Sequence, residues 1–299
     1  MRIFLTGATG FIGSRIVPEL LAAGHQVLGM TRSDAGAAWL NAAGAEAHRA
    51  TLEDVDSIRA GAANADAVIH TAFDHDFSNF VANCEKDRRV IAALGSVLKG
   101  SNRPLLITSG TGLGQGPDHG IAREDIVNFQ HPNPRVASEQ EGQAQLEAGV
   151  NVGVVRLPQV HDTKKQGLIS PFIEISRAQG LVGYVGEGRN RWPAAHVDDV
   201  AHLYRLAVER AEPGARYNAV DEEGVVVRDI ATVIAEGLNL PLKSLTPEEA
   251  QAHFGWLAMF TSLDLTASSK LTRERLNWTP KGVSMLEDLR NMDYAAAVA

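Results

Sequence analysis

Residues 2–13 read RIFLTGATGFIG, and the fold follows from how this stretch is read. RIFLT is a short apolar run of the kind found in strands buried on both faces. Glycines follow at once at positions 7, 10 and 13, where a tight turn needs positive φ and close backbone approach. FIGSRIVPELLAAG (11–24) continues as a helix closed by Gly24. Strand, glycine turn and helix in this order aim the free N–H groups of a helix start at an anion, the arrangement that holds a pyrophosphate. Gly7, Thr9, Gly10, Phe11, Ile12 and Gly13 are therefore the first candidate cofactor contacts.

Outward from that unit, apolar runs alternate with helical stretches. HQVLGM (25–30), AEAHRA (45–50), ADAVIHTAF (65–73), RPLLITSG (103–110) and VNVGVVRLP (150–158) read as strands. Helices are expected through AAWLNAAG (37–44), through LEDVDSIRAGAAN (52–64), up to about Leu98, and from near Pro134. The pattern implies an α/β fold with a doubly wound parallel sheet covered on both faces. Beyond Pro158 the rhythm loosens. GLISPFIEISRAQG (167–180) reads as a helix and LVGYVGEGRNRWPAAH (181–196) as glycine-rich and irregular, while VDDVAHLYRLAVER (197–210) and VVVRDIATVIAEGL (225–238) are clear helices. The final AAAVA (295–299) is expected to fray.

Composition narrows the function classes. The chain has 299 residues, 44% apolar and 21% charged, with a formal charge of −8. That charge argues against a nucleic-acid partner, which requires a basic footprint. One cysteine, Cys84, excludes an internal disulfide and a zinc site built from several thiolates. No apolar run reaches the length of a membrane span, and the N-terminus has no secretory-signal pattern, so a cytoplasmic protein is expected.

The end of the second strand bears on the cofactor. A carboxylate there would bond the 2′-hydroxyl of NAD, but VLGMTRS places Thr31 at that point, followed by Arg32 and Ser33. A guanidinium grips a 2′-phosphate with two charge-assisted hydrogen bonds. The expectation is NADP(H) in preference to NAD(H), with Asp34 keeping NAD(H) possible.

At this point the chain resembles the extended short-chain dehydrogenases/reductases, the group of sugar epimerases, dehydratases and dihydroflavonol reductase-like enzymes. TGATGFIG matches its glycine pattern, DAVIHTA its fourth-strand segment, HVDDVAHLYRLAVE its "hVdDva" helix and SSKLTRERLNWTP its C-terminal signature. Asn83 falls where the group carries a helix asparagine. The resemblance implies a Rossmann-type domain over 1–160, to which 192–220 return, and a smaller C-terminal substrate lobe over 161–191 and 221–299. It also implies that Leu52, Thr71, Ala72, Phe73 and Pro158 lie along the cofactor, and it favours a homodimer through the long helices after the fourth and fifth strands.

The group's reactive trio is a Ser or Thr after the fifth strand, a Tyr, and a Lys four residues later, the lysine lowering the tyrosine's pKa for proton exchange. None of Tyr184, Tyr204, Tyr217 or Tyr294 is followed by lysine at that spacing. Two alignments of HPNPRVASE (131–139) compete. In one, His131 and Arg135 replace Tyr and Lys, resembling an atypical subgroup with HxxxR. In the other, Arg135 takes the tyrosine's place and Glu139 the lysine's, with Ser138 matching. Histidine titrates near neutrality and could donate a proton, whereas Arg135 could only stabilise an oxyanion. Pro132 and Pro134 hold His131 and Asn133 out of helical conformation, so a helix capped by Asn133, with Pro134 at its first position, is expected. Ser109 and Thr111 are the candidate hydrogen-bond donors to a carbonyl, although Gly110 falls at the group's serine position.

Asp74, His75 and Asp76 follow the fourth strand, and His161 and Asp162 the sixth, without assembling a metal-ligand set. Arg189, Arg191, Trp192 and His196 lie in the segment that resembles the group's substrate wall, where the arginines could meet an anionic or carbonyl-bearing substrate. The function expected is an NADPH-dependent reductase of a small carbonyl substrate. The alternatives are a non-catalytic NADP(H)-binding sensor and an epimerase or dehydratase that recycles its cofactor.

Overall fold

A computed structural model of the chain describes residues 1–118 and 120–295. The first half alternates as β1 (Arg2–Thr6), α1 (Gly13–Ala22), β2 (Gln26–Thr31), α2 (Asp34–Ala42), β3 (Glu46–Arg49), α3 (Val55–Ala63), β4 (Ala67–His70), α4 (Phe80–Leu98), β5 (Pro104–Gly110), α5 (Val136–Glu147) and β6 (Asn151–Leu157). Then come β7 (Gln159–His161), α6 (Ile169–Gln179), β8 (Val182–Val185), β9 (Arg191–His196), α7 (Val197–Arg210), β10 (Arg216–Asn218), β11 (Glu222–Val226) and α8 (Val227–Leu238). The chain finishes with β12 (Leu242–Leu245), α9 (Pro247–Phe254), α10 (Ala258–Thr261), α11 (Lys270–Leu276) and α12 (Met285–Arg290).

Seven strands pair in the order β10-β6-β5-β4-β1-β2-β3, every pair parallel. Side chains alternate across each strand, so β1 sends Ile3 and Leu5 to one face and Phe4 to the other. The first face packs on α1 and α7 through Ile16, Leu20, Val200 and Tyr204, and the second on α3 and α4 through Ile58, Val90 and Leu94. This is the doubly wound Rossmann-type α/β arrangement, and ligands bind such sheets beyond the carboxyl ends of the strands.

A separate core gathers Ile169, Phe172, Trp192, Ile230, Leu245, Phe254 and Met285. It is built on two small sheets, β11-β9-β7 and β12-β8. Two expectations are corrected here. The stretch 181–196, read as irregular, contains β8 and β9, because Val182 and Trp192 are buried in this core. Its glycines sit mainly at the turn between the strands, where Gly186 and Gly188 take positive φ. The helix expected to begin at Pro134 starts at Val136, although Asn133 Oδ1 does accept the Arg135 N–H at 2.9 Å. The fraying expected of AAAVA concerns residues that, beyond Ala295, lie outside the described residues. Among the described residues no helix is long and apolar enough to cross a membrane.

Candidate functional site

The glycine turn is built to the limit of backbone contact. Gly7 has φ +70°, and a Cβ there would stand 2.8 Å from the Ala72 nitrogen and from Thr71 Oγ1. A Cβ on Gly13 would stand 2.0 Å from the Gly7 carbonyl oxygen. The Gly10 N–H closes the turn onto that same oxygen at 2.9 Å. The end of β4 is tied alongside, with Thr71 Oγ1 donating to the Thr6 carbonyl (2.7 Å) and the Ala72 N–H to Thr6 Oγ1 (3.2 Å). No side chain caps α1, and the N–H groups of Phe11, Ile12 and Gly13 find no acceptor among the described residues. Unfilled donors at a helix start, with backbone access kept open by glycine, fit a pyrophosphate.

At the end of β2, Thr31 is buried and Ser33 Oγ accepts the Gly36 N–H at 3.0 Å, capping α2. Arg32 is exposed and has no ion-pair partner among the described residues. Asp34, the residue that favours NAD in the sequence, pairs instead with Arg49 at 3.2 Å. Leu52 packs half-buried at the edge of the sheet's second face, and Pro158 lies half-buried between β6 and β7.

The structure brings Arg135 to the ends of β4 and β5. Its Nη1 donates to Asp87 Oδ2 and to Ser138 Oγ, both at 2.6 Å, its Nη2 donates to the Thr108 carbonyl at 2.9 Å, and its guanidinium lies 4.1 Å from the Phe73 ring centroid. Asp87 belongs to a buried chain that the sequence did not disclose: Thr6 Oγ1 to His70 Nδ1 (2.7 Å), then His70 Nε2 to Asp87 Oδ1 (3.0 Å). Burial alone would raise the Asp87 carboxyl pKa. Arg135, His70 and Ser138 outweigh it and hold the group below the carboxylate range. Arg135 is therefore a largely compensated charge. His131 is half-buried and sits in the preceding turn, where its Nδ1 accepts the Asn133 N–H at 3.1 Å. A neutral ring in that arrangement carries its proton on Nε2.

Glu139, four residues after Arg135, holds Arg156 at 2.7 Å through both oxygens, and Arg216 at 3.3 Å. In the alignment that lays Glu139 on the lysine, the position therefore holds a carboxylate bound by two arginines and not a lysine. Ser109 is buried beside Glu139 with no hydrogen bond of good geometry, and Thr111 is buried at the start of the turn that follows β5. Tyr204 reaches β5 from α7, but its hydroxyl is committed to Thr108 Oγ1 (2.7 Å) and burial raises its pKa. Tyr217 and Tyr294 are pushed up to about 12 by burial.

The remaining candidates disperse. Asp162 accepts the Lys164 and Lys165 N–H groups and pairs with Arg15, whereas His161 is buried against Asp288 at 2.7 Å. Among the described residues no three His, Cys, Asp or Glu side chains could hold a metal ion. Trp192 is fully buried and belongs to the smaller core, so it cannot line a substrate wall. Arg189 pairs with Glu187 at 2.7 Å and Arg191 with Asp264 at 3.1 Å. His196 caps α7, its Nδ1 accepting the Asp198 N–H at 3.3 Å. Asn83, placed by resemblance, donates to the Asp76 carbonyl at 2.9 Å and pins the loop after β4.

A family model described as the NAD dependent epimerase/dehydratase family matches residues 3–220. The chain belongs to that family. Within it, an uncharacterised protein of Schizosaccharomyces pombe is 43% identical over 98% of this chain and all of its own length. A 2-alkyl-3-oxoalkanoate reductase of Stenotrophomonas maltophilia is 28% identical over 81% of this chain and 77% of its own. Among solved structures, the UDP-glucose 4-epimerase of Thermus thermophilus, determined with NAD, superposes with a TM-score of 0.75 at 21% identity, covering 99% of this chain and 100% of that one. An extended short-chain dehydrogenase/reductase is thus established. The nicotinamide dinucleotide this family uses fits the open amides and glycine contacts of the β1–α1 turn.

Proposed function

We propose that the chain is an NADPH-dependent reductase of a small carbonyl compound. The observation that carries this reading is a pair of features flanking the cofactor site that find no partner among the described residues: uncapped amides at the start of α1, and Arg32 without a counter-ion at the end of β2. A pyrophosphate satisfies the first and a 2′-phosphate the second. Gly7, Thr9, Gly10, Phe11, Ile12 and Gly13 then cradle the diphosphate, Arg32 and Ser33 face the adenosine phosphate, and Leu52, Thr71, Ala72, Phe73 and Pro158 flank the rest. The 2-alkyl-3-oxoalkanoate reductase among the relatives supports carbonyl reduction.

Bound there, the reduced nicotinamide supplies the hydride that converts a carbonyl to an alcohol. The chain must hold the oxygen and deliver one proton. Ser109 and Thr111 at the end of β5 are the proposed donors to the oxygen, and His131 as an imidazolium is the proposed source of the proton, ending as the neutral ring whose Nδ1 accepts the Asn133 N–H. Arg135, its charge largely compensated by Asp87, is the proposed further hydrogen-bond donor to the forming oxyanion through N–H groups not engaged with Asp87, Ser138 and Thr108.

The assay is NADPH oxidation against a panel of ketones and aldehydes, run in parallel with NADH and with His131→Ala. Turnover with NADPH that falls at least a hundredfold in His131→Ala supports the assignment. Full turnover in that variant removes His131 from the role. One observation favours a second reading, a non-catalytic NADP(H) sensor: Glu139, which takes the lysine's place in one of the two alignments, is buried in an ion pair. Tight NADPH binding without turnover on any carbonyl would select it.

A further inference from the structure

A ladder of rings runs from the base of the site to the smaller lobe. It begins at Phe73, under the Arg135 guanidinium, and passes to His75 at 5.3 Å between centroids (78° between planes). His75 meets Phe77 at 6.3 Å, and Phe77 stacks on Trp256 at 4.3 Å with planes only 8° apart. Phe80 buttresses it from α4, 6.2 Å from Phe73 and 5.4 Å from Phe77. Trp256 lies in the turn between α9 and α10, whose neighbour Leu257 is buried in the smaller core. The Phe77–Trp256 stack therefore joins the loop after β4 to the C-terminal lobe, beside the strand ends where ligands bind.

The acids of that loop are engaged elsewhere. Asp74 pairs with Lys86 at 2.9 Å, and Asp76 accepts from Ser78 and Asn79. His75 keeps a water-accessible face yet stands in crowded surroundings. Burial, then the charges of Arg135 and Lys165, lower its pKa, so the ring is neutral at pH 7. Trp256 is 39% exposed, and Met259 and Leu263 in the segment that follows it are 54% and 45% exposed. Arg189 and Arg191, the arginines the sequence offered to an anionic substrate, are paired with Glu187 and Asp264.

We propose that Phe73, His75, Phe77 and Trp256 form the wall that recognises the substrate's body, and that the substrate is a flat, ring-bearing apolar ketone rather than a nucleotide sugar. This rests on the reductase reading for the reaction, but it is a statement about binding. Ring faces bind ring faces by offset stacking and by burying apolar area. Trp256 is the specificity-determining residue because it comes from the other lobe and stacks face-on.

Calorimetry on the full chain, with and without NADP⁺, tests it with two probes, 2-tetralone and UDP-glucose. 2-Tetralone is expected to bind, with affinity reduced roughly tenfold in Trp256→Ala and in Phe77→Ala and largely kept in Trp256→Phe. NADP⁺ affinity should stay at the parent value, showing that the cofactor half is intact, while the thermal midpoint falls by roughly a few degrees from loss of the stack between the lobes. Unchanged 2-tetralone affinity in Trp256→Ala overturns the proposal, as does binding of UDP-glucose alone or of neither probe. The outcomes are separable from those for the reaction. Binding of 2-tetralone with no NADPH consumed by any ketone defeats the reductase and leaves the wall. Reduction of butane-2,3-dione without 2-tetralone binding defeats the wall and leaves the reductase.

Discussion

Arg135 Nη1 lies 2.6 Å from Asp87 Oδ2, joining the start of α5 to the middle of α4 beneath the substrate side of the sheet. The carboxylate is shared, since Ser138 Oγ also donates to Oδ2 at 2.6 Å and His70 Nε2 lies 3.0 Å from Oδ1. Three side chains from two elements thus converge on one buried anion. Its removal strands the others.

Asp87→Ala should therefore destabilise the fold by about 3–5 kcal/mol, the usual cost of leaving a buried charge uncompensated. Asp87→Asn keeps the shape and should lie at the lower end of that range. Urea unfolding monitored by circular dichroism measures both. A loss under about 0.5 kcal/mol for either variant would mean that Arg135 is solvated rather than held.

The same carboxylates set the acid limit. Asp87 and Glu139 both have pKa values below their ordinary range despite burial, because Arg135 and Arg156 respectively stand against them. In the unfolded chain they protonate near pH 4. Above that pH their contribution to stability is complete, and it is lost progressively as pH falls from about 4 toward the folded values. The urea midpoint should be flat with respect to these groups above about pH 5 and drop steeply below 4. The drop should be shallower in Glu139→Gln, which has already lost one of the two groups. An equally steep drop in that variant would assign the acid sensitivity to other carboxylates.

Much of the cofactor half was legible because its signals are local. RIFLTGATGFIG carries strand, turn and helix in twelve consecutive residues, and the glycines are demanded by contacts within that unit and with Ala72. The network around Asp87 was not legible, since NCEKDRR reads as a solvated helix face and its partners lie 17 residues upstream and 48 downstream. Arg156 did carry a signal: an arginine inside VNVGVVRLP must find a counter-ion if the strand is buried, and Glu139 is that ion. Val182 and Trp192 escaped because intervening glycines hid two short strands whose burial depends on partners from α6 and α8. The Phe77–Trp256 stack joins residues 179 positions apart, which no periodicity reveals.

Arg32→Ala should weaken NADPH binding by about ten- to a hundredfold, equivalent to about 1.5–3 kcal/mol for hydrogen bonds to a charged group. NADH affinity should stay nearly unchanged, because the side chain has no ion-pair partner among the described residues to lose. Fluorescence titration with both cofactors gives the ratio. Equal losses for NADPH and NADH would mean that Arg32 supports the turn and does not read the phosphate.

Gly13→Ala and Gly24→Ala separate contact from conformation. Gly24 has φ +82° with open space around its Cα, so alanine there meets only the intrinsic left-handed strain, about 1 kcal/mol. It should cost stability and leave NADPH affinity alone. Gly13 is different: its Cβ would lie 2.0 Å from the Gly7 carbonyl oxygen, and that atom is backbone, so the turn itself must move. Displacing Gly7 pushes it toward Ala72 and disturbs the amides of Phe11 and Ile12, the donors proposed for the diphosphate. The expected result is a loss of NADPH affinity of at least a hundredfold, out of proportion to the change in thermal midpoint. Wild-type NADPH affinity in Gly13→Ala would show that the diphosphate does not rest on this turn.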